Sequence, residues 1–267
     1  MPYTAEISAD NPSCFLFLID QSTSMAEEVS AGDTTIAKAA GVSDTMNRWL
    51  SELSIKCAKS EGVRDYYHVG VVGYGKKVGP CLAGSADGNE LIPISHIADN
   101  PARIDERESI RMPVWFDAVA DGGTPMCRAS SQAGEIVQHW LDDHPDCFPP
   151  IVIHVTDGEA TDGDPQSRLH GLTRLNSSDG DVLLFNIHLS ANPDAQPVCF
   201  PDSPDNLPDE YSKMLWETSS PLSPTMRALA KEYGIKTSDS SRGFVLNADM
   251  VMLVQAIDIG TRPANLR

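Results

Sequence analysis

The fold is decided by the stretch Phe15-Leu16-Phe17-Leu18-Ile19-Asp20-Gln21-Ser22-Thr23-Ser24, an apolar run that ends in one carboxylate and several hydroxyls. A short apolar run of this kind is typical of a buried strand. Its polar ending could by itself be an ordinary turn between a strand and a helix. The stretch therefore indicates a functional site only if other strands are also followed by side chains that offer oxygen atoms.

Further apolar runs predict more strands, and stripes with a spacing of three and four predict helices between them. The predicted strands are 67–75, 78–82, 151–156, 182–189 and 243–246, and the predicted helices are 33–61, 124–141, 169–175, 223–233 and 250–257. This alternation with near-continuous apolar strands indicates an α/β fold. We expect a Rossmann-like open sheet, mostly parallel, with helices on both faces and one antiparallel edge strand formed by the hairpin after Gly75.

The length of 267 residues is compatible with one large core. We predict a single domain over 1–267 whose core spans about 14–258. Two stretches without clear periodicity, about 84–111 and 191–222, are predicted insertions, and 259–267 is a predicted C-terminal tail.

The composition restricts the possible partners and the compartment. A formal charge of −18 repels phosphate backbones and anionic lipids, so neither nucleic acid nor a membrane is an expected partner. The N-terminal residues lack the basic start and apolar core of a secretion signal, and a cytoplasmic location is expected. The six cysteines contain no Cys-x-x-Cys pair, which favours free thiols over a zinc or redox site.

Three predicted loops offer oxygen atoms at positions that a parallel sheet brings together. Asp20, Ser22 and Ser24 follow the first strand, Thr124 lies in a Gly-Gly-Thr turn, and Asp157 follows the strand 151–156. Because ligands of open α/β sheets bind at the carboxyl ends of the strands, Asp20 and Asp157 are expected to face each other.

The chemistry of this set suits a hard cation. Two carboxylates balance the charge of one divalent ion, and hydroxyls add weak oxygen ligands without adding charge, as fits Mg²⁺ or Mn²⁺ in preference to Ca²⁺. A vacant coordination position on such a metal would accept an incoming carboxylate. An intact site that serves local stability and not recognition is the alternative reading.

Asp20-Gln-Ser22-Thr-Ser24, Gly123-Thr124-Pro125 and Thr156-Asp157-Gly158 resemble, in this order, the metal-ion-dependent adhesion site (MIDAS) of von Willebrand factor A (VWA) domains. The resemblance covers Phe15 to Ile257. It implies that Ser22, Ser24 and Thr124 contact the metal directly or conditionally, and that Asp20 and Asp157 do so directly or through water. Gln21 departs from the residues frequent in that family without touching a ligand position.

The resemblance implies a non-enzymatic protein-protein interaction module that binds a partner's Asp or Glu through the metal. Similarity to stand-alone intracellular bacterial VWA proteins suggests partners such as an ATPase or a kinase and phosphatase pair. The alternative is a metal-dependent hydrolase or phosphatase. It needs a general base, for which Glu159, Asp162 and Asp164 are the candidates nearest in sequence.

The insertion 191–222 is predicted to emerge on the metal edge, because its preceding strand should run parallel to the first. We expect it to border the site and to select partners, with Phe200, Met214 and Trp216 as apolar contacts and its acidic residues as repulsive selectors. A loop packed down the side of the sheet is the alternative.

Overall fold

The computed structural model describes residues 3–84, 88–107, 110–190 and 196–262. The strands are β1 Ser13–Asp20, β2 Glu28–Ala31, β3 Thr34–Ala37, β4 Ala58–Lys59, β5 Gly62–Val63, β6 Tyr67–Tyr74, β7 Val78–Pro80, β8 Ile92–Pro93, β9 Arg103–Arg107, β10 Ile110–Val114, β11 Ile151–Thr156, β12 Asn176–Ser177, β13 Gly180–Asp181, β14 Leu183–Leu189, β15 Val198–Cys199 and β16 Phe244–Ala248. The helices are α1 Lys38–Cys57, α2 Ile94–Asp99, α3 Met126–Asp143, α4 Gln166–Leu172, α5 Glu210–Thr218, α6 Pro224–Glu232 and α7 Met250–Thr261, and a 3₁₀ turn covers Thr23–Ala26.

An eight-stranded sheet forms the centre of the fold, in the order β15-β16-β14-β11-β1-β6-β7, with β8 also paired to β6. The five central strands are parallel, and β1 lies between β6 and β11. All eight residues of β1 are buried, as a strand covered on both faces requires. The expected mostly parallel α/β sheet is confirmed.

Alternate side chains of β1 enter two different cores. Phe15, Phe17 and Ile19 pack in the cluster that includes α1, α6 and α7, whereas Leu16 and Leu18 pack in the cluster that includes α3, α4 and α5. Because successive side chains of a strand point to opposite faces, this division shows that helices cover both faces. That prediction is also confirmed.

The predicted single antiparallel edge strand was an underestimate. β7 and β8 both pair antiparallel with β6, and β15 pairs antiparallel with β16 at the opposite edge. The short strand β15 lies inside the predicted insertion 191–222, where repeated prolines hid it. The segment 191–195 of that insertion lies outside the described residues.

The predicted helix 33–61 begins too early, since β2 and β3 form a hairpin before α1 starts at Lys38. Thr34, Thr35 and Ile36 are β-branched and favour the extended conformation. Gly32 has a φ of 68°, which suits the turn between the two strands. The apolar spacing of three and four extended by chance across this hairpin.

The predicted insertion 84–111 and the predicted tail 259–267 contain regular structure that the charged or terminal sequence did not reveal. The first holds α2 and most of the β9–β10 hairpin, with 85–87 and 108–109 outside the described residues. α7 continues to Thr261, so 259–261 are helix and not tail, and Ile259 is fully buried. The remaining tail residues 263–267 lie outside the described part of the chain.

The six cysteines are free thiols, as predicted, and four of them are buried. No helix within the described residues is both long enough and apolar enough to cross a membrane.

Candidate metal site

Asp20 is the last residue of β1 and lies at the carboxyl edge of the sheet, with β6 on one side and β11 on the other. Its side chain is held by two hydrogen bonds. The Ser22 backbone N–H donates to Oδ1 over 2.8 Å, and the Thr156 hydroxyl donates to Oδ2 over 2.9 Å. The strand end and the turn after it therefore fix the carboxylate in one orientation.

A chain of hydrogen bonds joins the hydroxyls after β1 to the carboxylate after β11. The Ser22 and Ser24 hydroxyl oxygens are 3.0 Å apart, and Ser24 donates to Asp157 Oδ1 over 2.7 Å. Asp20, Ser22, Ser24 and Asp157 thus meet at one place, because two parallel strands deliver their carboxyl ends to the same edge. This convergence was predicted from the sequence.

Thr124 reaches the same edge by a different route. Its backbone N–H donates to Thr161 Oγ1 over 3.0 Å, and the Thr161 N–H donates back to the Thr124 carbonyl over 2.9 Å. The Thr124 side chain is buried, and its hydroxyl hydrogen-bonds to no residue in the described part of the chain. It is therefore available to a ligand.

The Thr124 side chain does not cap α3, although it precedes the helix. α3 begins at Met126, and the carboxylate of Asp162 accepts from the Cys127 and Arg128 N–H groups over 2.9 and 3.0 Å. A residue from the loop after β11 therefore performs the capping, which frees the threonine hydroxyl.

The glycines before Thr124 allow loops to pack closely. Gly122 has a φ of 96°, and a Cβ there would lie 2.4 Å from the Lys76 backbone nitrogen, so only glycine fits. Its carbonyl accepts from the Thr23 N–H over 3.0 Å, which ties this turn to the loop after β1. Both glycines of the turn, Gly122 and Gly123, therefore lie against neighbouring loops.

Lys38 is a component of this edge that the sequence analysis missed. Its ammonium group lies 2.7 Å from Asp157 Oδ2 and 3.0 Å from Glu27 Oε2, and the residue is 2% exposed. A lysine in the first turn of a helix faces the positive end of the helix dipole and is unfavourable without acidic partners. Because the predicted helix began at residue 33, the sequence did not reveal this position.

The residues present fit a hard divalent cation. The site offers two carboxylates with three hydroxyls, and oxygen ligands of this kind suit Mg²⁺ or Mn²⁺. Burial, helped by the nearby charge of Asp157, raises the pKa of Asp20 to about 6, although hydrogen bonds from Ser22 and Thr156 act to lower it. A buried carboxylate whose charged form is disfavoured in this way is stabilised by a bound cation.

A second type of metal site has no support in residues 3–84, 88–107, 110–190 and 196–262, since no three His, Cys, Asp or Glu side chains gather there in a group that could hold a metal. The general bases that a hydrolase would need are also largely occupied. Asp162 caps α3, and Asp164 accepts from the Gln166 N–H. Glu159 is exposed.

The described part of the insertion 191–222 borders the candidate site. The Tyr211 hydroxyl of α5 donates to the Gly158 carbonyl over 2.6 Å, next to Asp157. Burial raises the pKa of this tyrosine, and the charges of Asp20, Glu159 and Asp157 add to the effect. The predicted position of the insertion is therefore supported by a direct contact.

The three predicted apolar contacts of the insertion differ in their surroundings. Phe200 is 1% exposed and packs in the core against Phe185, so its prediction as a partner contact was wrong. Trp216 is half-buried under the Arg242 guanidinium, and its Nε1 donates to the Pro201 carbonyl. Met214 is half-buried and lines a cleft of about 470 Å³ beside the loop that follows Asp157.

Replacing Tyr211 with phenylalanine should loosen the loop after Asp157. We expect Tyr211→Phe to lower the free energy of unfolding by about 1 kcal/mol, because the Gly158 carbonyl loses the shorter of its two hydrogen bonds and keeps only the Thr156 hydroxyl at 3.0 Å. Hydrogen exchange at 157–161 should rise in the same variant. Tyr233→Phe, which removes an exposed hydroxyl bonded to Asp258, is the matched control and should change stability by less than about 0.5 kcal/mol. Equal effects in the two variants would contradict the proposed contact.

Comparisons with known proteins give structural similarity without close relatives. No protein-family profile matches the chain, and no curated protein matches it. Proximal thread matrix protein 1 from the mussel byssus, solved with a zinc-occupied MIDAS motif, is similar over 96% of this chain and 49% of its own, with 15% identity and a TM-score of 0.48.

The vWF domain of the type V pili tip protein Mfa5 from Porphyromonas gingivalis is similar over 56% of this chain and 39% of its own, with 17% identity and a TM-score of 0.35. The chain thus spans less than half of the length of either structure. Similarity at this level says nothing about what this chain binds.

Proposed function

We propose that this chain is a von Willebrand factor A-type domain that uses a divalent cation at its MIDAS to bind an Asp or Glu side chain of a partner protein. The observation that carries the proposal is the hydrogen-bonded convergence of Asp20, Ser22, Ser24 and Asp157 at the carboxyl edge of the sheet. Thr124, with its free hydroxyl, completes the donor set.

The chain's own residues have distinct roles in this proposal. Asp20 and Asp157 supply the negative charge, Ser22, Ser24 and Thr124 supply neutral oxygens, and Thr156 holds Asp20 in place. A bound Mg²⁺ or Mn²⁺ would supply the positive charge that attracts a carboxylate. Because hydroxyls add no charge, the loaded site keeps its attraction for an anionic group.

The partner's chemistry follows from the surroundings of the site. The cleft beside Tyr211 and Met214 is lined by Glu159, Glu210 and Glu217, and these acids repel a partner segment that carries several negative charges. We infer that the preferred partner presents one acidic residue in an otherwise neutral or basic segment. The partner's identity, such as an ATPase or a kinase and phosphatase pair in a cytoplasmic setting, is part of this proposal and rests on the family resemblance alone.

Metal titration of two variants tests the function. Asp20→Asn should weaken Mn²⁺ and Mg²⁺ binding by about 100-fold or more in calorimetry, because it removes one of two ligand charges. Asp33→Ala removes an exposed carboxylate in the β2–β3 turn and should leave the metal affinity unchanged within about twofold. Wild-type protein that binds neither metal at millimolar concentration would refute the proposal.

Two further measurements separate binding from hydrolysis. Capture of a partner protein should require Mg²⁺, stop with chelator and fail with Asp20→Asn. Turnover of a phosphoester by wild-type protein with Mn²⁺, abolished in Asp20→Asn, would instead favour the hydrolase.

A further inference from the structure

Lys38 places a positive charge inside the candidate metal site. The ammonium group is fixed between Asp157 and Glu27, and the Asp157 side chain is fully buried while the Glu27 side chain is 59% exposed. An exposed partner is screened by water, so the pair with Asp157 is the stronger of the two. The lysine therefore acts mainly on a predicted metal ligand.

The two oxygens of Asp157 have different donors. Ser24 donates to Oδ1, whereas Lys38 donates to Oδ2. The oxygen on the side of the serine hydroxyls is thus separate from the one that the ammonium group occupies. Lys38 can keep its hydrogen bond while Oδ1 serves the hydroxyl side of the site.

Lys38 makes the net charge of the site more positive by one unit. Asp20, Asp157 and Lys38 together carry one net negative charge, so the site with a divalent cation carries one net positive charge. Without Lys38 the two carboxylates would neutralise the cation completely. A buried charge of this kind affects every other charged group in the site, since screening there is weak.

We propose that Lys38 is a specificity-determining residue, a fixed internal cation that lowers the affinity of the site for a divalent metal and raises the affinity of the metal-loaded site for a partner's carboxylate. The inference rests on the proposed function. It assigns to this chain a charge balance in which metal binding and anion binding respond to Lys38 in opposite directions.

Opposite responses distinguish this role from a purely structural one. If Lys38 only stabilised the loop after β11, its removal would disorder Asp157 and weaken both metal and carboxylate binding. If Lys38 acts through its charge, its removal strengthens metal binding and weakens carboxylate binding. The two outcomes differ in sign.

The experiment uses Mn²⁺ alone, followed by acetate as the carboxylate probe. Lys38→Gln keeps a hydrogen-bond donor without the charge, and Lys38→Met keeps the length of the side chain. In both we expect calorimetry to show Mn²⁺ binding about tenfold tighter than in wild type. Broadening of the acetate methyl resonance by protein-bound Mn²⁺ should report acetate binding about tenfold weaker.

One control variant keeps the positive charge at residue 38, and a second removes a positive charge elsewhere on the same sheet edge. Lys38→Arg retains the positive charge and should stay within about threefold of wild type in both measurements. Lys76→Gln removes an exposed lysine that pairs with Asp121 at the same sheet edge, and it should have an effect below about twofold. The melting temperature in chelator tests the ion pair without metal. It should be lower in Lys38→Gln than in wild type, because Asp157 loses its charged partner.

A further variant tests the role of Lys38 even if the neutral Lys38 variants do not fold. Its expected effects on metal and acetate binding are opposite to those of the Lys38 variants. Glu27→Gln removes the second, exposed partner of the lysine and makes the surroundings of the site more positive. It should weaken Mn²⁺ binding by about twofold to threefold and strengthen acetate binding.

The outcomes separate this inference from the proposed function. Tight Mn²⁺ binding by wild type, with no change or a joint loss in the Lys38 variants, would overturn the role of Lys38 and leave the metal-dependent module standing. Unchanged Mn²⁺ affinity in Glu27→Gln would also count against that role. No Mn²⁺ binding by wild type would overturn both.

Discussion

Asn186→Ala should lower the free energy of unfolding by about 3 to 5 kcal/mol. Asn186 is fully buried in the middle of β14, and its Nδ2 donates to the Leu215 carbonyl over 2.9 Å and to the Ser219 hydroxyl over 3.0 Å. Its Oδ1 lies 2.8 Å from His154 Nδ1. Alanine removes these hydrogen bonds and leaves the buried His154 Nδ1 without its partner, while the Leu215 carbonyl keeps the Ser219 hydroxyl as a donor.

The position of Asn186 also links the sheet to α5, the helix that carries Tyr211 to the candidate metal site. Loss of its hydrogen bonds releases the carboxyl end of α5, where Leu215 and Ser219 lie. We therefore expect Asn186→Ala to increase hydrogen exchange in α5 more than in α3, which packs on the same face of the sheet without this anchor.

Urea unfolding in the presence of chelator measures the effect, with Asn176→Ala as the matched control. Asn176 is exposed and donates to the Arg174 carbonyl over 3.3 Å, so its replacement should change stability by less than about 0.5 kcal/mol. A destabilisation by Asn186→Ala of less than about 1 kcal/mol would show that water or rearrangement replaces the lost hydrogen bonds. A double-mutant cycle with His154 would then locate the remaining coupling.

The strands at the centre of the fold could be predicted from sequence because their burial on both faces leaves long apolar runs. β1 and β11 end where the polarity changes, at Asp20 and Thr156. Parallel pairing of the two strands then places the carboxylates of Asp20 and Asp157 at the same edge of the sheet. The convergence of the residues of the candidate site could be predicted for the same reason.

Residues that depend on distant partners were not predictable. Lys38 has meaning only beside Asp157, which follows it by 119 positions. Phe200 lies in a proline-rich segment whose composition suggests an exposed loop, yet the antiparallel strand β15 brings it into the core. The hairpin β2–β3 was missed because a helical spacing of apolar residues extended across it.

His154 illustrates how far sequence reasoning extends for a single residue. A histidine among the apolar residues of a strand is expected to be a core residue and not a ligand, and His154 is fully buried. Its hydrogen bonds also define its state. Because Asn186 Nδ2 donates to a carbonyl, Asn186 Oδ1 must face His154 Nδ1, which carries the proton, and Nε2 accepts from the Tyr74 hydroxyl over 2.6 Å.

This neutral, buried imidazole should make the fold sensitive to acid. Burial lowers the pKa of His154 to about 4, while the hydrogen bond with Asn186 opposes the shift. In the unfolded chain the histidine titrates near its ordinary pKa of about 6.5, so between pH 6.5 and 4 the unfolded state binds a proton that the folded state does not. Stability from this group is thus fully present above pH 6.5 and is lost as the pH falls towards 4.

The loss from His154 should reach about 3 kcal/mol, with a slope of about 1.4 kcal/mol per pH unit, measured in urea with chelator as the difference between wild type and His154→Gln. The difference is needed because the raised pKa of Asp20 changes the stability of both proteins in the opposite direction over this range. His154→Gln cannot take up a proton, so its unfolding free energy should decline less steeply over the same range, even if it is less stable at neutral pH. His139→Gln, at an exposed position of α3, should keep the wild-type slope. Parallel curves for wild type and His154→Gln between pH 6.5 and 4 would mean that the folded core accepts the charged imidazole, against the hydrogen-bond assignment made from Asn186 and Tyr74.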